Sequence, residues 1–227
     1  GDAGTALFVS GLGTSELTQG TGSVLALANL ALLTGSVGRL GAGLLPLRGQ
    51  NNVQGNADMG GMPDLFTGYQ PLDDPAVRER LERLWGALPP TTLGKTVPEM
   101  LTAAREGALR GLWIQGEDIA QSDPNQHHVE AALSRLEFLV IQEIFPSETQ
   151  AFAHLVLPAA GVFEQDGTFT NAERRIQRVR AVASPPGEAR PDWQVIIDVA
   201  NALGCGWSYP TPADVMDEIA IAAPRLW

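Results

Sequence analysis

LWIQGEDIAQSDPNQHHVEAALSRLEFLVIQE, residues 112–143, reads as strand 112–115, loop 116–124, helix 127–136 and strand 138–142. Both strand runs are short, apolar and bounded by turn-forming residues, as buried strands are. A short helix near 148–153 and a third strand over 155–157 follow. This β–α–β–α–β order predicts an α/β fold in which a parallel sheet carries helices on its faces.

Working outward, residues 6–10 (ALFVS) form another apolar run, ending in Gly11-Leu12-Gly13. That is the look of a buried strand entering a loop. Ser23 is placed to cap a helix over 24–34, whose apolar residues nearly encircle it and predict burial. Gly35 stands at the C′ position that would stop it. Residues 35–68 lack periodicity, are rich in glycine and enclose the polar knot Arg48-Gly49-Gln50-Asn51-Asn52. A loop so long is expected to be functional. Asp74-Pro75 opens a charged helix through 85, residues 89–92 form a surface connection, and 97–106 is an amphipathic helix. Residues 161–191 read as irregular, with a basic patch at Arg174, Arg175, Arg178 and Arg180. Residues 192–203 form the last clear helix, and a short one follows Asp214.

Composition narrows the function classes. The 227 residues carry 15 basic and 26 acidic side chains, a net charge of −11, so a nucleic-acid or anionic-membrane footprint is not expected. One cysteine excludes a disulfide scaffold, a cysteine-built zinc site and an all-cysteine iron–sulfur cluster within this stretch. No apolar run approaches the roughly 18 residues that mark a transmembrane helix. Gly 25 and Pro 16 together are about 18% of the chain, against a usual 12% or so, which calls for many tight turns.

Several motifs fail on inspection. Gly94-Lys95-Thr96 lacks the earlier glycine of a phosphate loop, since Pro89 stands there, and Glu16 replaces the third glycine of a dinucleotide fingerprint. His127 and His128 point about 100° apart on a helix, which suits a helix surface better than a metal. His154 reads as structural and Cys205 as incidental. What survives are the strand ends, because open parallel sheets bind ligands outside their carboxyl edge. The first gives Gly11, Gly13 and Thr14. The second gives Gly116, Glu117 and Asp118, with Ser122 one turn on. The third gives Gln142 and Glu143. Carboxylates there suit ribose hydroxyls or a guanine edge, and glycines admit a pyrophosphate to the backbone. Ordinary polar loop residues would look the same. Arg48 offers a forked donor set for a planar carboxylate, or else bonds its own loop carbonyls.

The block GSVGRLGAGLLPLRGQNNVQG (residues 35–55), with the preceding LANLALLT, resembles the catalytic (alpha) subunit of molybdopterin-dependent formate dehydrogenases. So do Asp58-Met59-Gly60, Gly116-Glu117-Asp118, QEIF at 142–145, LVLP at 155–158, EQDGTFTN at 164–171, RRIQ at 174–177 and Asp192-Trp193-Gln194. Order and spacing match over nearly the whole chain. The resemblance implies two-electron oxidation of formate to carbon dioxide, or its reverse. The centre would be molybdenum or tungsten held by two molybdopterin guanine dinucleotides. It implies that Arg48 pairs with the formate carboxylate and that Gln50 lies in the same pocket. Asp118, Ser122, Gln142 and Asp192 would contact one dinucleotide, and residues 11–14 would approach the other. Rossmann-like lobes are expected: 1–55 ending one lobe with the active-site loop, and 56–227 forming the second with an irregular insert at 161–191.

Departures from the family matter as much. Its cysteine cluster for a 4Fe-4S centre, its metal-ligating cysteine or selenocysteine followed by histidine, and its C-terminal domain have no counterpart here. Leu17 stands where many relatives carry histidine. The chain therefore reads as an internal part of a longer subunit, inactive alone, with formate, the missing parts and electron-transfer subunits as partners. A cytoplasmic setting is expected, with the periplasm open because Gly1-Asp2-Ala3-Gly4 reads as the middle of a longer chain or a tag remnant. Two other readings stay open: a non-catalytic scaffold subunit of the same superfamily, and a reductase acting on another oxyanion.

Overall fold

The computed structural model describes residues 4–224. They divide into two compact units, one comprising residues up to 56 together with 170–176, the other comprising 57–169 with the residues from 177 onward.

In the first unit, β1 (Leu7–Ser10) pairs in parallel with β2 (Gly43–Pro46), Leu7 opposite Gly43 and Ser10 opposite Pro46. Between them run a short α1 (Leu12–Ser15) and the long α2 (Gly20–Leu33). The helix begins three residues before the expected Ser23 cap. Ser23 instead lies inside it and donates to the Gln19 carbonyl at 3.3 Å. Gly20 is required at that start, since a Cβ there would lie 2.0 Å from the Ser15 carbonyl oxygen. The expected end holds, with Gly35 at φ +62° just past the helix. The expected burial does not. Only Gly20 and Ala31 are buried, and Leu33 is 86% exposed. An apolar helix without a polar face has no single side to bury, and little in this unit covers it. The glycine-rich stretch 35–68, expected to be one loop, holds β2, α3 (Val53–Asp58) and β3 (Leu65–Phe66). β2 escapes periodicity because it is four residues long and draws its order from pairing with β1.

The second unit is built on the expected parallel sheet, in the order β5 (Gly111–Gln115), β6 (Phe138–Glu143) and β7 (Leu155–Pro158). Register aligns Leu112 with Leu139, Ile114 with Ile141 and Gln142 with Leu157. β6 is central, so Leu139, Val140, Ile141 and Gln142 are all buried, as a strand covered on both faces requires. One face packs with Leu101 and Ala104 of α5 (Val97–Arg105) and with Val129, Ala132 and Leu133 of α7 (Gln126–Leu133). Burying a side chain such as Leu139 or Leu133 contributes about 2 kcal/mol. The stretch 116–124 is not all loop: α6 (Ile119–Ser122) anchors it through buried Ile119.

A smaller core joins Phe66, Val77, Leu81 and Ala222. It uses α4 (Pro75–Trp85), which starts as the sequence predicts: Asp74 accepts from the Ala76 and Val77 amides, Pro75 follows, and Gly86 at φ +76° ends it. β3 pairs antiparallel with β4 (Gln70–Pro71). The region 161–191, read as irregular, contains the two-stranded sheet of β8 (Gly167–Thr170) and β9 (Ile176–Val179). α8 (Asp192–Ala202) matches expectation. α9 (Pro212–Ala222) starts before Asp214, which sits in its first turn and accepts from the Thr211 amide at 2.8 Å. Among the described residues no helix is long and apolar enough to cross a membrane.

Candidate functional site

Both units present loops at the carboxyl edge of a parallel sheet. In the first, the ladder continues one step beyond the strands, with the Leu47 N–H donating to the Ser10 carbonyl at 2.7 Å. Gly11 and Arg48 therefore leave the sheet side by side. The two loops touch: a Cβ at Gly49 would lie 2.5 Å from Leu12 Cδ1. The Thr14 N–H returns to the Gly11 carbonyl at 3.2 Å, turning that loop tightly. A Cβ at Gly11 or Gly13 would meet nothing within 4 Å, so backbone is open to a ligand there. Arg48 and Gln50 are both exposed. The structure thus brings Gly11, Gly13, Thr14, Arg48 and Gln50 to one edge.

At the corresponding edge of the second unit, Gly116 adopts φ +64° and donates its N–H to the Gln142 carbonyl at 2.9 Å. A hypothetical Cβ on Gly116 also meets nothing within 4 Å. Residues after β7 bring α8 to this edge. The Ala160 N–H donates to the Arg190 carbonyl at 2.9 Å, and the Arg190 N–H to the Pro158 carbonyl at 3.2 Å. Asp192, the first residue of α8, then accepts a 2.7 Å bond from Gln142 Nε2. Gln142 is fully buried, yet its Oε1 has no hydrogen-bond partner. A buried orphan acceptor is costly unless a donor meets it.

The remaining residues form separate local bonds. Ser122 donates its hydroxyl to Glu117 Oε1. Glu143 accepts from the Ile144 N–H at 2.6 Å. Asp118 turns instead to residues 148–149, taking the Glu148 N–H at 3.1 Å and both the N–H (2.9 Å) and hydroxyl (2.6 Å) of Thr149. Burial alone would raise its pKa, but the bonds from Thr149 and Glu148 outweigh it and hold the carboxyl below its usual range. Three of its lone-pair positions are thereby occupied. Thr149, completely buried, is a site-shaping residue that the sequence pattern does not reveal, because its partner lies 31 residues away. His154, read as structural, accepts the Leu139 N–H at 3.0 Å on Nδ1.

The residues present would fit a polar group at the sheet edge. Open glycine backbone would admit it, and the orphan Gln142 Oε1 would accept from an N–H donor that reached it.

Comparisons with known proteins agree with this architecture. In Bacillus subtilis (strain 168), "Probable oxidoreductase YjgC" is 46% identical over 224 residues, covering 99% of this chain and 23% of that protein. In Methanocaldococcus jannaschii, "F420-dependent formate dehydrogenase subunit alpha" is 44% identical over 227 residues, covering 99% of this chain and 33% of that protein. The chain therefore spans about a quarter to a third of the length of these relatives. Among solved structures, acetylene hydratase from Pelobacter acetylenicus shares the fold over 64% of this chain and 22% of its own, at TM-score 0.50 and 19% identity. The family model described as Molybdopterin oxidoreductase matches residues 2–202, and with the relatives' identities it makes this chain a member of the molybdopterin oxidoreductase family.

Proposed function

We propose that this chain forms the formate-orienting and dinucleotide-holding part of a formate dehydrogenase catalytic subunit. The observation that carries this reading is Arg48, exposed at the carboxyl end of β2 against the open Gly11–Gly13 loop. The bound cofactor, molybdenum or tungsten on two molybdopterin guanine dinucleotides, supplies the two-electron redox centre. Arg48 takes the formate carboxylate in its forked donor pair, which fixes the direction of the formate C–H. Gln50 adds a neutral donor beside it. Gly11, Gly13 and Thr14 receive one dinucleotide against their backbone. Gly116, Gln142 and Asp192 hold the second, with the side-chain Oε1 of Gln142 and the Asp192 carboxylate as acceptors for a guanine or ribose edge. Glu117, Ser122 and Glu143 line that edge, and Asp118 supports it through Thr149. The 4Fe-4S cluster, the metal ligand and the electron-transfer subunits lie outside these residues.

The test is a full-length subunit carrying Arg48→Ala or Arg48→Lys, assayed for formate oxidation with an artificial electron acceptor. Both variants should lose about 100-fold or more in kcat/KM while retaining metal and guanine nucleotide. Near wild-type turnover removes Arg48 from the reaction and this reading with it.

A further inference from the structure

A side chain just after Arg48 bonds to a part of the chain distant in sequence. Asn52, four residues after Arg48, adopts the left-handed conformation with φ 57°, which asparagine tolerates better than other non-glycine residues. Its Oδ1 accepts the backbone N–H of Thr170 at 2.9 Å, a contact across 118 residues. The space for that amide exists because residue 55 is glycine. A Cβ on buried Gly55 would lie 2.1 Å from Asn52 Oδ1 and 2.9 Å from its Cγ. Thr170 ends β8, and the turn beyond it is itself organised. Asn171 Oδ1 accepts from the Glu173 and Arg175 amides at 2.9 and 3.0 Å, with Arg174 held at φ 62°. Residues 170–176 accordingly belong to the compact unit of Arg48 rather than to that of their sequence neighbours.

We infer that Asn52 is a positioning residue for Arg48, its side chain seated over Gly55 and pinning the substrate loop to the hairpin end at Thr170. The inference rests on the reading of Arg48 as the formate anchor. A left-handed backbone at a non-glycine residue is a strained feature that persists where surrounding structure fixes it, and such features gather at functional loops. A guanidinium on a pinned loop loses less freedom on capturing a small anion than one on a loose loop.

The test uses the full-length subunit with Asn52→Ala, Gly55→Ala and the conservative Asn52→Asp, which keeps the acceptor oxygen. Two readouts are taken: the rate of tryptic cleavage after Arg48, followed by mass spectrometry of the native protein, and the formate KM and kcat. Asn52→Ala and Gly55→Ala should each raise cleavage after Arg48 about tenfold and formate KM about tenfold, with kcat within about threefold. Asn52→Asp should restore both towards wild type. Unchanged cleavage and KM in Asn52→Ala and Gly55→Ala, beside a strong Arg48→Ala defect, overturns the positioning role and leaves the formate reading standing. An inert Arg48→Ala with faster cleavage in the pin variants has the opposite meaning: the pin exists, but Arg48 is not the anchor.

Discussion

Thr149 grips Asp118 twice, through its backbone N–H at 2.9 Å and its hydroxyl at 2.6 Å. The same hydroxyl oxygen accepts the Ala120 N–H at 3.0 Å. One buried side chain thus ties the loop after β5 to the segment after β6. Thr149→Val conserves shape but strands the Ala120 amide and removes a donor from the carboxylate. It should cost about 2–3 kcal/mol in urea denaturation, and a cost below about 0.5 kcal/mol would show that this pair does not hold the edge.

The same carboxylate sets a pH dependence. The pKa of Asp118 is lowered in the folded chain from an ordinary 3.8, so folding is favoured by its ionised form. Its contribution is complete above the unfolded value and is lost as pH falls through the lower folded one. The stability difference between wild type and Asp118→Asn should therefore shrink as pH is taken from about 5 towards 2. Glu99 and Asp214 have lowered pKa values too, but both variants share them and their effects cancel. A gap independent of pH would refute the assignment to Asp118.

Gln142→Glu tests the buried contact with Asp192. The substitution is nearly isosteric, but it replaces an N–H donor by an oxygen facing a carboxylate 2.7 Å away. Near pH 7 it should destabilise by about 3 kcal/mol. Near pH 4 the loss should be smaller, because the pair can share a proton. Equal losses at both pH values would argue against direct apposition.

Gly116→Ala isolates a conformational cost. With φ at +64° and no atom beyond the neighbouring residues within 4 Å of the added carbon, only the local backbone opposes it. The expected loss is about 1–2 kcal/mol, with Gly116→Asn losing less because asparagine visits this conformation more readily. If alanine and asparagine cost the same, strain at Gly116 is not the cause.

How much of this was legible in the sequence follows from what stabilises each part. The strands of the three-stranded sheet and helix α4 announce themselves locally, by compact apolar runs and by the Asp74-Pro75 start with Gly86 at the end. The strand ends carrying Gly116 and Gln142 were therefore placed from sequence. Hairpin β8–β9 is not legible because each strand is only four residues long and the Asn171 side chain organises the turn between them. The exposure of α2 was missed because apolarity reports what a helix can bury and says nothing of what is there to cover it. The partners of Asp118 and Asn52 were invisible for a plainer reason: hydrogen bonds across 31 and 118 residues leave no local pattern.

The bond from Thr170 to Asn52 also has a meaning in time. A ribosome delivers the two residues in order, and 118 positions separate them. At about 5–20 residues per second, Arg48 and its neighbours wait roughly 6–24 s on the nascent chain before the group that shapes their loop has been made. The Asn52 contact with Thr170 can therefore form only after synthesis has passed residue 170, so this part of the loop's shape is acquired late.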